Sequence, residues 1–214
     1  YPRDSKRGGA WMTNFAEQYV TPDGQNVRPV IVNVGNFNKP ADDQPSLLTI
    51  DQVETMFHEF GHALHGLLSQ CSYRSLSGTS VKRDFVELPS QINENWAFEP
   101  EVLATYAFHW KTGEVIPAEL VEKMRACANY GQGFSTGELT AASILDMKWH
   151  ELSERSDDED MEALESRFCA EMGLIDEIIP RYRTTYFNHI FGSSGYSAGY
   201  YSYLWAEVLD KDAF

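Results

Sequence analysis

Residues 49–68 constrain this chain more than any other stretch. Apolar side chains fall at Ile50, Val53, Phe57, Phe60, Leu64 and Leu67, three or four apart, as one face of an α-helix requires. Thr49 with Gln52 fits a capping box at the start of that helix, and Asp51 with Glu54 offers a second. Within it lies His58-Glu59-Phe60-Gly61-His62. Residues four apart share a helix face, so His58 and His62 can present two imidazole nitrogens to one metal ion.

Glu59 projects to the edge of the same face, within reach of a water on that ion. Two histidines and an intervening glutamate at this spacing are the H-E-x-x-H pattern of zinc hydrolases. The metal lowers the pKa of its water towards ~7, and the carboxylate takes the proton during attack on a carbonyl. The rival reading is a surface helix that happens to carry two histidines, and the periodicity and caps around the motif argue against it. A glycine inside a helix costs ~1 kcal/mol relative to alanine, so Gly61 implies that something packs closely on the backbone between the two histidines.

Zinc takes a third protein ligand and keeps a fourth position open. His65 lies one turn past His62, but three imidazoles along one straight helix span ~10 Å and cannot share an ion. Glu87 is the better candidate. It follows His62 by 25 residues, in Asp84-Phe85-Val86-Glu87-Leu88-Pro89-Ser90, and a glutamate buried among apolar neighbours needs a cation or a partner. Glu94, two turns further on the same face, either accepts a hydrogen bond from a metal-bound imidazole or simply faces water.

These segments, in order, carry a resemblance. Phe57 to His65, Ser77-Gly78-Thr79 and Asp84 to Gln91 resemble the M3 (thimet oligopeptidase) family of zinc peptidases. Lys6 to Trp11, Gln91 to Trp96 and Leu145-Asp146-Met147-Lys148-Trp149-His150 are most similar to its bacterial peptidyl-dipeptidase (dipeptidyl carboxypeptidase) branch, with the oligopeptidase A branch next. The resemblance covers residues 1–214. It implies a zincin-like catalytic fragment of a larger two-lobed helical peptidase, with upstream parts and a short downstream part absent. It implies one Zn2+ per chain held by His58, His62 and Glu87, with Glu59 as general base.

A second cluster of chemistry lies at His189 and in Gly195-Tyr196-Ser197-Ala198-Gly199-Tyr200-Tyr201-Ser202-Tyr203. Tyr196, Tyr200 and Tyr203 are spaced four and three apart, which predicts hydroxyls along one helix face. Such neutral donors stabilise an oxyanion when aimed at it, although a tyrosine stripe is more often amphipathic core. The resemblance makes Tyr196 and Tyr203 catalytic, His189 a transition-state-binding histidine, and Tyr200 and Gly78 substrate-binding. The link Ile-Phe-Gly-Ser-Ser-Gly from His189 to Tyr196 is longer than the family's. Arg183 and Arg181 are candidates to bind a substrate's C-terminal carboxylate, which arginine does bidentately.

The remaining composition bounds the partners. The net charge of −15 and pI of about 4.7 argue against nucleic acid, which needs a basic footprint. No apolar run approaches the ~18 residues of a membrane span. Cys71, Cys127 and Cys169 are too few and scattered for a disulfide framework, which predicts free thiols in the cytoplasm. The expected partners are short peptides, with no nucleic acid and no membrane, and the full-length enzyme is expected to be a monomer.

The pattern predicts a mainly α fold with a small β-sheet near the N-terminus. Residues 8–15 and 28–37 read as strands around a turn at 21–24, and 73–79 as an edge strand or loop. Helices are expected at 84–97, 100–112, 117–130, 136–155, 160–172, 181–189 and 198–210, and the acidic run 151–165 as a solvated loop and helix start. The activity expected is a zinc peptidase releasing C-terminal dipeptides. An oligopeptidase cutting internal bonds and a non-catalytic zinc or peptide-binding module are the alternatives.

Overall fold

The computed structural model describes residues 1–154 and 160–214. The chain divides into two compact units, Tyr1–Ala126 with Leu209–Phe214, and Cys127–Val208. It is mainly helical, with short antiparallel strands near the N-terminus.

In the first unit, β1 (Trp11–Ala16) pairs antiparallel with β4 (Val30–Val34), Trp11 opposite Val34. Between them β2 (Tyr19–Val20) and β3 (Asn26–Val27) form a smaller pair, closed by the expected turn with Gly24 at φ 85°. The buried Gln18 side chain accepts from the Cys71 N–H at 2.8 Å and donates to the Cys71 carbonyl at 3.0 Å, which ties this region to the loop after the first helix.

Helix α1 (Ile50–Leu67) is capped as the sequence predicts. The Thr49 hydroxyl accepts from the Gln52 N–H and the Gln52 side chain accepts from the Thr49 N–H, each at 3.3 Å. Its buried positions differ from the expected apolar stripe. Glu59, Gly61, Ala63 and Gly66 are buried, whereas Ile50, Phe60 and Leu67 are about half exposed. The small residues decide this. A Cβ on Gly66 would lie 2.7 Å from Ile31 Cδ1, and one on Gly61 would lie 2.5 Å from the Pro89 carbonyl oxygen. The strand pair and the following helices therefore approach the α1 backbone where side chains are missing.

The helix expected over 84–97 is broken at the residue that matters. Helix α2 (Arg83–Val86) ends at Glu87, and α3 (Leu88–Asn95) begins there, with Pro89 in its first turn. Proline has no N–H to continue a helix and suits a first turn. The Asn93 side chain donates to the Phe57 carbonyl at 2.7 Å, fastening α3 to α1. Segment 73–79 is a loop with one 3-10 turn (Arg74–Leu76) rather than a strand. Helix α4 (Pro100–Tyr106) stops short of the expected 112, where the chain turns at Gly113 and bridges Phe108 to Val115. Helix α5 (Ala118–Cys127) follows.

In the second unit, α6 (Gln132–His150) and α7 (Met161–Glu171) bury Leu145, Leu164 and Phe168 together. Asp160 caps α7 by accepting from the Glu162 N–H. Arg155 and the acidic residues Asp157, Asp158 and Glu159 of the expected loop lie outside the described residues. The helix expected at 181–189 is instead a 3-10 turn (Thr184–Tyr186) followed by the short α8 (Asn188–Phe191). Helix α9 (Ser202–Ala213) begins four residues later than expected. No helix among the described residues is long and apolar enough to cross a membrane, and Cys71, Cys127 and Cys169 are free thiols.

Candidate metal centre and the tyrosine loop

Three side chains converge in the first unit as the sequence predicts. His58 Nε2 and His62 Nε2 lie 3.4 and 3.1 Å from the same oxygen, Glu87 Oε2. The three ligand atoms fall within 4.8 Å of one another, the only such group of three or more among the described residues. The one-turn spacing on α1 supplies the two imidazoles, and the break at Pro89 leaves Glu87 between two short helices with its side chain buried. His65 is not part of the group. Its ring packs edge-on to Phe85, and burial and the His62 charge lower its pKa.

The surroundings are those of a cation site. Glu94 Oε1 lies 2.5 Å from His58 Nδ1, so with a metal ion bound a proton on Nδ1 would leave the Nε2 lone pair free to ligate it. Burial would push the His58 imidazole down, but hydrogen bonds to Glu87 and Glu94, and their charges, hold it up to about 10. Two carboxylates, Glu87 and Glu94, flank the imidazole, and opposite charges this close favour a positive charge between them. Two imidazoles and one carboxylate are also a zinc donor set, so the residues present fit a metal ion of that class.

Glu59 is buried beside this group, and its Oε2 has no hydrogen-bond partner among the described residues. Burial raises its pKa, against the opposing charges of His58 and His62. A cavity of about 360 Å³ is lined by Glu59, His58, Glu54 and Glu94, so space that a substrate can enter adjoins this residue.

Gly78 lies elsewhere in this unit. It adopts φ 55°, its N–H donates to Ser69 Oγ at 2.8 Å, and an added Cβ would lie 3.1 Å from the Gly66 Cα. With His65 it lines a different cavity, of about 570 Å³.

In the second unit His189 and the tyrosines gather, but not along one helix. Tyr196 and Tyr200 precede α9 in consecutive turns, and only Tyr203 is helical. The Tyr196 and Tyr203 rings stack at 5.5 Å, and His189 packs edge-on to Tyr196 at 5.9 Å and Tyr200 at 5.6 Å. Tyr200 is 3% exposed in a core with Ala142, Phe187 and Ile190, so its aromatic body is a packing element. Burial and Tyr182 push its hydroxyl pKa up. Arg183 is engaged by the buried Glu165 carboxylate, which also accepts from the Thr184 N–H at 2.5 Å. Arg181 pairs with Glu138 at 3.0 Å.

The sequence pattern of Peptidase family M3 matches residues 1–214. The chain belongs to this family. It is 50% identical over 215 residues to dipeptidyl carboxypeptidase of Escherichia coli (strain K12), covering 100% of this chain and 31% of that protein. Oligopeptidase A of the same organism is 42% identical over 218 residues, covering 100% of this chain and 32% of that protein. The organellar oligopeptidase A of Arabidopsis thaliana is 40% identical over 220 residues, covering 100% and 28%. The chain thus spans about a third of the length of these relatives. The M3 assignment agrees with the convergence of His58, His62 and Glu87, two segments joined by no local pattern.

Proposed function

We propose that this chain is the catalytic part of a zinc peptidase that releases dipeptides from the C-termini of short peptides. The observation that carries the reading is the meeting of His58 Nε2 and His62 Nε2 at Glu87 Oε2, with Glu59 buried alongside and its Oε2 without a hydrogen-bond partner among the described residues. His58, His62 and Glu87 would hold one Zn2+. When bound, such an ion supplies Lewis acidity, which acidifies water and polarises a carbonyl.

The chain's own groups do the rest. Glu94 fixes the His58 tautomer. Glu59, its pKa raised by burial, accepts the proton of the attacking water and passes it to the departing amine, and a carboxylate raised towards neutrality is the better matched base. Tyr196 and Tyr203 are the proposed donors to the developing oxyanion, with His189 assisting. Tyr200 and Gly78 remain proposed substrate-side residues on the resemblance alone, and Arg183 because arginine can bind a C-terminal carboxylate bidentately. Tyr200 acts there as the packed support of its neighbours, and Arg183 only by exchanging its Glu165 partner for a substrate carboxylate. The enzyme is proposed to act as a monomer in the reducing cytoplasm, in keeping with its free thiols.

Dipeptide release rather than internal cleavage is favoured by the higher identity to dipeptidyl carboxypeptidase than to oligopeptidase A. The test is mass analysis of products from peptides with free and amidated C-termini, using the full-length protein with and without a chelator. Chelator-sensitive loss of two residues at a time, blocked by amidation, supports the reading. Chelator-sensitive internal cuts that ignore amidation make the protein an oligopeptidase, and intact peptides with zinc-loaded protein leave only a binding module.

A further inference from the structure

The motif Leu145-Asp146-Met147-Lys148-Trp149-His150 has no part in the metal chemistry, yet it contains a fully buried carboxylate. Asp146, in the middle of α6, is 0% exposed. Burying a carboxylate is costly unless donors satisfy it, and here two main-chain N–H groups do, one on each oxygen. Ala198 donates its N–H to Oδ1 at 2.9 Å, and Tyr200 donates its N–H to Oδ2 at 2.9 Å. His150, one turn along α6, places Nδ1 2.8 Å from both Oδ1 and the Asp146 main-chain carbonyl oxygen, so it is shared between the carboxylate and the helix backbone.

The segment so held is the turn between Tyr196 and Tyr203. Ala198 has φ 52°, the only non-glycine with positive φ among the described residues. A left-handed alanine costs ~1–2 kcal/mol and persists only where its surroundings over-determine it. The carboxylate fork supplies that determination from 52 and 54 residues away. It catches two alternate main-chain N–H groups and so fixes the path from Tyr196 to Tyr203, whose rings stack 5.5 Å apart with an interplanar angle of 5°. A carboxylate is needed because both of its oxygens must accept. Asparagine would offer one amide NH2 where a second acceptor is required.

We propose that Asp146, held by His150, is a positioning residue that sets the geometry of Tyr196 and Tyr203 for catalysis. This rests on the reading of those tyrosines as oxyanion donors. Asp146 touches no substrate and acts through the main chain of residues 198 and 200. A shift of ~1 Å in a catalytic group can cost ~10²-fold in rate, so the effect belongs in kcat.

The experiment is steady-state kinetics on the full-length, zinc-loaded protein with a peptide carrying a free C-terminus. Asp146→Asn lowers kcat about 10–100-fold, with KM and zinc content close to those of the parent. In a Tyr196→Phe/Tyr203→Phe background the same substitution lowers kcat by less than about threefold, because coupled residues do not add. His150→Leu reduces kcat, and His150→Asn, whose amide can replace the Nδ1–H, restores most of it. These half-exposed variants decide the matter if Asp146→Asn fails to fold. An unchanged kcat in Asp146→Asn, full additivity with the tyrosine pair, or equal loss in His150→Leu and His150→Asn overturns the proposal. Full activity of the Tyr196→Phe/Tyr203→Phe protein overturns instead the reading of the tyrosines on which it rests, and leaves the metal centre standing.

Discussion

Replacing Gly61 by alanine sets two effects of opposite sign against each other. Helix propensity alone favours the change by ~1 kcal/mol. The structure opposes it. The new Cβ would lie 2.5 Å from the Pro89 carbonyl oxygen, 2.6 Å from Ser90 Cα and 2.9 Å from Asn93 Cβ. Two of these three atoms are backbone, so the contact cannot be relieved by a side-chain rotation. Restoring an ordinary 3.4 Å contact moves α3 about 0.9 Å from α1 at Pro89. Overpacking of this kind costs ~1–3 kcal/mol, more than the propensity gain at all but its lower end, so the net effect is a loss of up to ~2 kcal/mol.

The same displacement reaches Glu87, two residues before Pro89, whereas metal–ligand distances tolerate only ~0.2 Å. Gly61→Ala therefore loses zinc affinity out of proportion to stability. The assays are chelator competition for zinc and thermal unfolding of the metal-free protein. At ~2–4 °C per kcal/mol for a unit of this size, Tm should fall by up to ~8 °C. A variant as stable as the parent, with undiminished zinc affinity, would refute the reasoning that Gly61 sets the spacing of α1 and α3.

Further outcomes follow from the same geometry. Glu59→Gln should keep one zinc ion per chain while turnover falls at least ~10²-fold, checked by metal analysis and kinetics on one preparation; substantial residual turnover removes Glu59 as the base. Glu94→Ala should weaken zinc binding ~10–100-fold by releasing His58 Nδ1, with activity recovered at saturating zinc. Unaltered affinity would show that the 2.5 Å contact does not orient the ring. Burial and then Glu165 raise the Cys169 thiol pKa against the pull of Arg183, so less thiolate is present at a given pH. Alkylation near pH 8 should thus modify the exposed Cys127 well before Cys169, and the lag of Cys169 should shrink as pH rises. Peptide mapping by mass checks the order.

What could be read from the sequence follows the range of the interactions. Helix α1, its capping box and the pairing of His58 with His62 are local features, set by spacing within one or two turns, and they stand as expected. Glu87 is legible because an acid in an apolar run requires a cation, but the run reads as one helix and the break at Pro89 does not show in its pattern. The close packing on Gly61 was legible, but its partner, the Pro89–Ser90 backbone, was not. The tyrosine spacing misled. Four-and-three periodicity promised a helix face, but Ala198 and Tyr200 are captured by Asp146 from more than fifty residues away, and α9 starts only at Ser202. No local pattern encodes that fork. The one available signal was an acid flanked by Leu145 and Met147 in a helix with buried neighbours. Arg183 misled similarly, since its buried acidic partner Glu165 lay within a run read as solvated.

The central claim is that His58, His62 and Glu87 together hold one metal ion. Native mass spectrometry of the full-length protein under zinc titration, parent against Glu87→Ala, tests it most directly. The account predicts one tightly held ion in the parent and a loss of affinity of at least ~10²-fold in the variant, since a three-ligand site keeps only its two imidazoles. Equal retention of zinc by both proteins would contradict it.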